Sequence, residues 1–242
     1  MKYYLFCYLL IILLGPKASA QKTDTLQAGK VLPRWENLKE HKARFTIFTT
    51  SKDGKLLHYG VQDRVVKPFP FNGKDCWISI QTSFNKDHIT IDSTVFLEKT
   101  YMPVAYRTTI PGEELKEKVD FDGMKISAQI IYSDSVVSKD QSAPLPVYSV
   151  VMDQDILQAL KFENGAKFVL KGINPGAHYR GLLTTSYEVI GDDNLVIGGT
   201  KINCWKLSTG KSVMWFSKQG QELLKQEFIF PNGNVFTKVR LL

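Results

Sequence analysis

Between residues 182 and 242, apolar-rich runs alternate with the pairs Thr209-Gly210, Gln219-Gly220 and Asn232-Gly233. Glycine reaches positive φ at no steric cost, so such pairs suit two-residue hairpin turns, and a chain punctuated in this way is committed to an antiparallel meander. Gly191-Asp192-Asp193-Asn194 reads as a fourth turn cluster. Two-residue turns at the three glycine pairs set the pairing. Trp215 then faces Cys204 on one side and Leu224 on the other, Leu224 faces Leu241, and Val213, Gln226 and Val239 form a second row. Phe230 faces Val235. Directly paired residues point the same way, so these share one face, and a single bulge would swap the faces beyond it. The opposite face is mixed: it carries Trp205, Met214, Phe216, Leu223, Ile229 and Phe236 beside the pairs Glu227–Lys238 and Lys225–Arg240.

Upstream, residues 44–50, 55–66, 75–83 and 88–97 alternate or cluster apolar side chains as strands do, and Asp122-Gly123 marks a further hairpin. Residues 153–160 form the clearest helix. Asp153 is placed to cap it, Ile156, Leu157 and Leu160 make an apolar stripe, and Gly165 ends it. Residues 133–146 are rich in Ser, Asp and Pro and read as the longest loop. The expected fold is therefore mainly β: a single antiparallel curved sheet or half-open β-barrel, a meander with one or two short helices.

Residues 1–20 read as a secretory signal peptide. Lys2 supplies the positive start, Tyr3 to Leu14 the apolar run, and Ala18-Ser19-Ala20 the small-residue cleavage pattern. The apolar run is too short to span a bilayer comfortably. Residues 21–43 follow as an N-terminal extension and 44–242 as a single β-rich domain, with no transmembrane segment in the mature chain. Loss of Lys2 and Lys17 takes the net charge from +7 to +5. The basic residues are scattered, which describes a solvated surface and not a nucleic-acid patch. The expected address is exported, in the periplasm or associated with the outer membrane. There Cys76 and Cys204 can form one disulfide or stay as buried thiols, and the sequence leaves both open.

No motif of useful specificity assigns chemistry. His41, His58, His88 and His178 are isolated, and there is neither His-Glu-x-x-His nor Gly-x-Ser-x-Gly. Gly198-Gly199-Thr200 lacks the phosphate-loop lysine and following helix, and reads as a tight turn or bulge. No metal site, catalytic residue or cofactor is assigned, and the chain is not read as an enzyme. The aromatic residues are the informative ones. Ile202, Cys204, Val213, Trp215, Leu224, Phe228 and Val239 make a candidate ligand-binding face for a lipid or other apolar molecule. The rival reading is a structural or interaction module with a filled core that meets an envelope protein partner through the face around Trp205 and Met214. Cavity volume separates the two.

The pattern Tyr187-Glu188-Val189, Val196-Ile197-Gly198-Gly199-Thr200, Cys204-Trp205-Lys206-Leu207, Trp215-Phe216-Ser217 and Leu224-Lys225 resembles exported bacterial proteins of the domain of unknown function 3108 family. Upstream, Tyr101-Met102-Pro103-Val104 and Phe121-Asp122-Gly123 fit the same style, so the resemblance covers residues 88–242. The sheet-plus-helix plan is similar to that of the lipoprotein carriers of the bacterial envelope. That likeness implies a curved, unclosed barrel with a helical lid over an apolar cavity, in a Gram-negative envelope. It implies no activity.

Overall fold

The computed structural model describes residues 23–86, 88–112, 116–174 and 182–242. The expected leader, residues 1–20, lies outside the described residues. Sixteen strands form one sheet. In chain order they are β1 (Thr23–Leu26), β2 (His41–Thr50), β3 (Leu56–Pro68), β4 (Cys76–Phe84), β5 (Ile89–Leu97), β6 (Pro103–Thr109), β7 (Lys116–Asp122), β8 (Lys125–Ile131) and β9 (Val136–Ser142). They continue as β10 (Tyr148–Ser149), β11 (Lys167–Ile173), β12 (Leu182–Ile197), β13 (Thr200–Ser208), β14 (Ser212–Ser217), β15 (Leu223–Ile229) and β16 (Val235–Leu241). A helix, α1 (Asp153–Gln158), stands between β10 and β11. In space β1 pairs β11, the meander β11 to β16 follows, β16 pairs β2, and β2 to β9 run on in order. The sheet is thus the open, mainly β architecture expected, but it is mixed and not purely antiparallel: β1 and β10 both run parallel to β11 at one edge, and β9 forms the other.

Strands form at the edges in two segments not expected to hold them. β1 lies in the polar extension and pairs parallel with β11 through four residue pairs. β9 lies in the segment expected to be a loop and is exposed along almost its whole length. Neither shows apolar alternation, because an edge strand with solvent on both faces has no apolar face to show.

The meander follows the expected course with corrected registers. The two residues at the β13–β14 turn are Gly210-Lys211, because Thr209 N–H donates to Ser212 O at 2.9 Å. Cys204 therefore pairs with Ser217, and Trp215 pairs with Lys206. A shift of two residues preserves facing, so Cys204 and Trp215 still share a face. A bulge between Trp215 and Phe216 then turns β15 over: Leu224 stays beside Trp215, but Gln226 and Phe228 go to the opposite face. The β15–β16 connection is Pro231-Asn232-Gly233, closed by Phe230 N–H donating to Asn234 O at 2.9 Å, with Gly233 at φ 84°. That three-residue loop with glycine in the left-handed region is a recurrent hairpin form. Its extra residue cancels the bulge, and Val239 and Leu241 return to the Trp215 face. Gly191-Asp192-Asp193-Asn194 is not a turn. It lies inside β12, where Gly191 at φ 137° follows a bulge. The turn is Gly198-Gly199, both at positive φ.

Further bulges fall at Thr49/Thr50 and Val95/Phe96. Each increases local twist and bends its strand, and the bent sheet wraps around α1. On this inner face Ile156, Leu157 and Leu160 are sealed among Val66, Phe96, Tyr187 and Leu207, with Met214, Phe216 and Leu223 from the meander. So the face expected to be mixed, around Trp205 and Met214, is the one the helix covers. Met214 is buried and Trp205 is half-buried against the same core, which removes that face as a surface for a partner. Gly172 makes the covering segment fit. A Cβ there would meet Tyr148 O and Val150 Cγ1, both at 2.9 Å, too close for any side chain.

On the outer face Cys204, Trp215, Leu224 and Ile197 form a separate small core, flanked by Ile202, Val213 and Val239. Cys76 belongs to another outer cluster with Val95 and Ala105. Both thiols are free and buried, so the Cys76–Cys204 bridge is not formed. Five strands separate β13 from β4, and at about 4.8 Å per strand the two sulfurs lie far beyond disulfide reach.

Trp215 is only 6% exposed, donates its indole N–H to Asp193 Oδ2 at 2.8 Å, and lies under Lys206 and Lys225. Trp215→Ala is expected to cost about 3 kcal/mol by leaving a cavity in the small outer core. Urea denaturation measures it. A loss near zero would mean that this cluster is not a core.

Candidate functional site

The interior of the curved sheet is occupied by α1 and a buried polar cluster. Only six residues long, α1 buries Gln154, Asp155 and Gln158 as well as its apolar residues. Asp155 forms an ion pair with Arg64 of β3, both nearly inaccessible. Gln154 turns its amide oxygen to the same guanidinium when oriented by its hydrogen bonds. Asp153 accepts from the Tyr187 hydroxyl at 3.1 Å and from the backbone N–H of Gln154 at 2.6 Å. Burial holds its carboxyl above the ordinary range, against the pull of those hydrogen bonds. Burial also pushes the Tyr187 hydroxyl well up, and the Asp153 charge adds to it. Lys238 of β16 places its ammonium 4.3 Å from the centre of the Phe45 ring, and burial brings it down to about 7.

The C-terminal carbonyls of the helix are satisfied from the β14–β15 loop. Gln221 donates its amide to Leu160 O at 2.8 Å and Leu157 O at 3.1 Å, and Arg34 holds the amide oxygen at 2.8 Å. A helix end buried without such partners would be costly. The adjoining cavity, beside Arg64, Asp155 and Glu222, measures about 20 Å³, room for about one water. This region is a lock that seats the helix, and the cavity beside it is too small for a lipid-like ligand. The expected lid is an internal plug.

A larger pocket lies at one rim. β2, β4, β11 and β15 run toward the same end of the sheet, here called the upper rim, because antiparallel steps in the strand order alternate direction. At that end Leu26 of β1, Leu182 and Leu183 of β12, and the segment Pro144-Leu145-Pro146-Val147 enclose about 420 Å³, with Lys171 also on the wall. That volume is in the range of small-molecule sites. Sequence reading missed these residues, because they come from the extension, the expected loop and the mouth of the meander. The one available signal was Leu145 and Val147, apolar residues set around prolines in an otherwise polar stretch.

The seven candidate residues are placed as follows. Ile202, Cys204, Val213, Trp215, Leu224 and Val239 gather on the outer face and pack mainly on one another. Phe228 lies on the other face, where its ring meets Phe230 edge-on at 5.0 Å. Ile202 and Leu224 border an open depression of about 810 Å³ whose remaining wall is mostly polar, including Asn203, Lys218, Glu222 and Arg240. Among the described residues no group of three or more His, Cys, Asp or Glu side chains could hold a metal, and no helix is long and apolar enough to cross a membrane.

No family model matches the chain, and no curated protein matches it. Among solved structures it is similar to a β-barrel-like protein of domain of unknown function DUF1849 from Brucella abortus. The likeness has a TM-score of 0.50 and covers 84% of this chain and 96% of that chain at 9% identity. At that identity the likeness shows the fold alone. The chain therefore carries a β-barrel-like fold.

Proposed function

We propose that this chain is an exported envelope protein that binds one apolar, lipid-like molecule in the upper-rim pocket. The observation that carries this reading is the contrast between the rim and the interior. The interior is filled by α1, whereas the rim keeps about 420 Å³ bounded by Leu26, Leu145, Val147, Leu182 and Leu183. An unfilled space with such walls gains by taking an apolar chain out of water. Lys171 on the wall suits a ligand with an anionic head. The leader-like residues 1–20 and the likeness to the 3108 family and the envelope carriers support the address, the periplasm or the outer membrane.

Fluorescence titration with the apolar dye N-phenyl-1-naphthylamine tests this. Leu145 is exposed, so Leu145→Asp should leave the thermal midpoint unchanged. It should weaken dye binding at least tenfold, as loss of one leucine contact of about 1.5 kcal/mol or more implies. Equal binding by the variant, or none by the wild type, overturns the reading.

A further inference from the structure

We propose that the upper rim at the β2–β3, β4–β5 and β15–β16 turns docks on an anionic lipid bilayer. This inference goes beyond the pocket and does not depend on its being occupied.

The sheet assembles an exposed apolar surface there from residues remote in sequence. Ile229 pairs with Val235, Val235 with Thr50, and Thr50 with Leu56, one row across four strands. Beside it Tyr59 pairs with Phe48, and below run Val61, Phe84 and Ile89, paired in turn. Thr237, which links Phe48 to Glu227 of β15, faces away from α1 with Val213, so these rows lie on the outer face. Leu56 is 53% exposed, Ile229 55% and Tyr59 66%, and Phe84 and Ile89 are exposed beside them. Large apolar groups this open and this close together mark an interaction surface.

The turns that bound the surface touch one another. A Cβ on Gly233 would lie 3.3 Å from Lys52 Cβ. The His58 ring nitrogen is 3.1 Å from Asn85 Oδ1, and Ile229 N–H donates to Lys211 O at 2.9 Å. The patch is therefore one surface, and its turns raise the exposed cations Lys52, Lys55, Lys86 and Lys211 around it. Against these four the turn sequences hold only Asp53 and Asp87.

Apolar side chains encircled by lysines match the bilayer interface. There the rings and aliphatic groups enter the headgroup boundary while the ammonium groups meet lipid phosphates. A protein partner fits less well, since lysine is depleted where proteins meet. A second copy docked through the same face would set lysine-bearing turns of like charge against each other.

Sedimentation of the full chain with vesicles tests the proposal, using phosphatidylcholine alone and phosphatidylcholine mixed with phosphatidylglycerol. Binding is expected with the mixed vesicles and not with the neutral ones, and it should weaken as salt rises. Tyr59→Glu should reduce it about tenfold. Lys52→Gln and Lys55→Gln should each reduce it about fivefold, the value of one lysine near an anionic surface. All three sites are exposed, and an unchanged thermal midpoint confirms folding. Leu145→Asp should leave vesicle binding intact, and Tyr59→Glu should leave dye uptake intact, so pocket and patch fail separately. Equal binding to neutral vesicles, or no binding to either, overturns the proposal. So does a dimer in the ultracentrifuge that Tyr59→Glu disperses without changing vesicle binding.

Discussion

An Asp155→Ala chain is expected to lose about 3–5 kcal/mol of folding stability, read as a lower urea midpoint with an unchanged slope. Asp155 and Arg64 are each about 2% exposed at the side chain, so removal of the carboxylate leaves a guanidinium buried without its counter-charge. Gln154 can offer that guanidinium one neutral oxygen, which does not replace an anion. The loss should be larger than the worth of the pair itself, because most of it is desolvation of the orphaned cation. Arg64→Met combined with Asp155→Leu separates the two. If the pair acts as a lock, the double variant should recover most of the lost stability, since well-packed apolar residues replace a buried pair at little cost. A loss below about 1 kcal/mol for Asp155→Ala would show that water reaches Arg64, and the helix would then not be a plug.

This lock bears on how the fold is used. In a carrier with a ligand inside its sheet, the helix would have to yield. Here it is held by the Arg64–Asp155 pair, by the Tyr187 contact to Asp153, and by Gln221 at its C-terminal end. All three partners come from the sheet or its loops. Displacing α1 would expose buried charge and strip carbonyls of their donors at once. The ligand reading therefore belongs to the rim, where the walls are Leu26, Leu145 and Leu183, not to the centre.

What the sequence reveals follows the range of each interaction. The outer face of the meander is legible because alternation and glycine turns are local signals. Trp215, Leu224 and Leu241 share that face even though every turn between them differs in detail: the bulge at Trp215 and the three-residue loop at Gly233 cancel. Lys225 to Ile229 lie between those two irregularities and are the residues misplaced, Phe228 among them. A bulge is set by packing across strands, which no local pattern records. The helix is legible from Ile156, Leu157 and Leu160, but nothing local marks Gln154, Asp155 and Gln158 as buried. Their partners Arg64 and Gln221 lie 91 residues before Asp155 and 61 residues after Leu160. The pocket draws on four separate segments, and only the sheet order brings them together.

The same buried cluster predicts an unusual alkaline response. The ordinary lysine value is 10.5, and the folded value for Lys238 is about 7. Between those two the unfolded chain holds a proton that the folded chain does not, so stability rises with pH across that window. Below about pH 7 the full cost of burying the cation is present. From about pH 6 to about pH 9 this group should add on the order of 3 kcal/mol. Asp153 acts in the opposite sense. Its raised value means that the folded chain keeps a proton which the unfolded chain releases above 3.8, so its contribution falls as pH climbs through that window. Lys238→Met isolates the lysine. It keeps the packing against Phe45 and Ile47 and removes the titrating group. Urea midpoints of the variant should lose the rise between about pH 6 and about pH 9, and the variant should be more stable than wild type at the lower pH. The same rise in variant and wild type would mean that Lys238 reaches solvent and that the interior around α1 is open on that side.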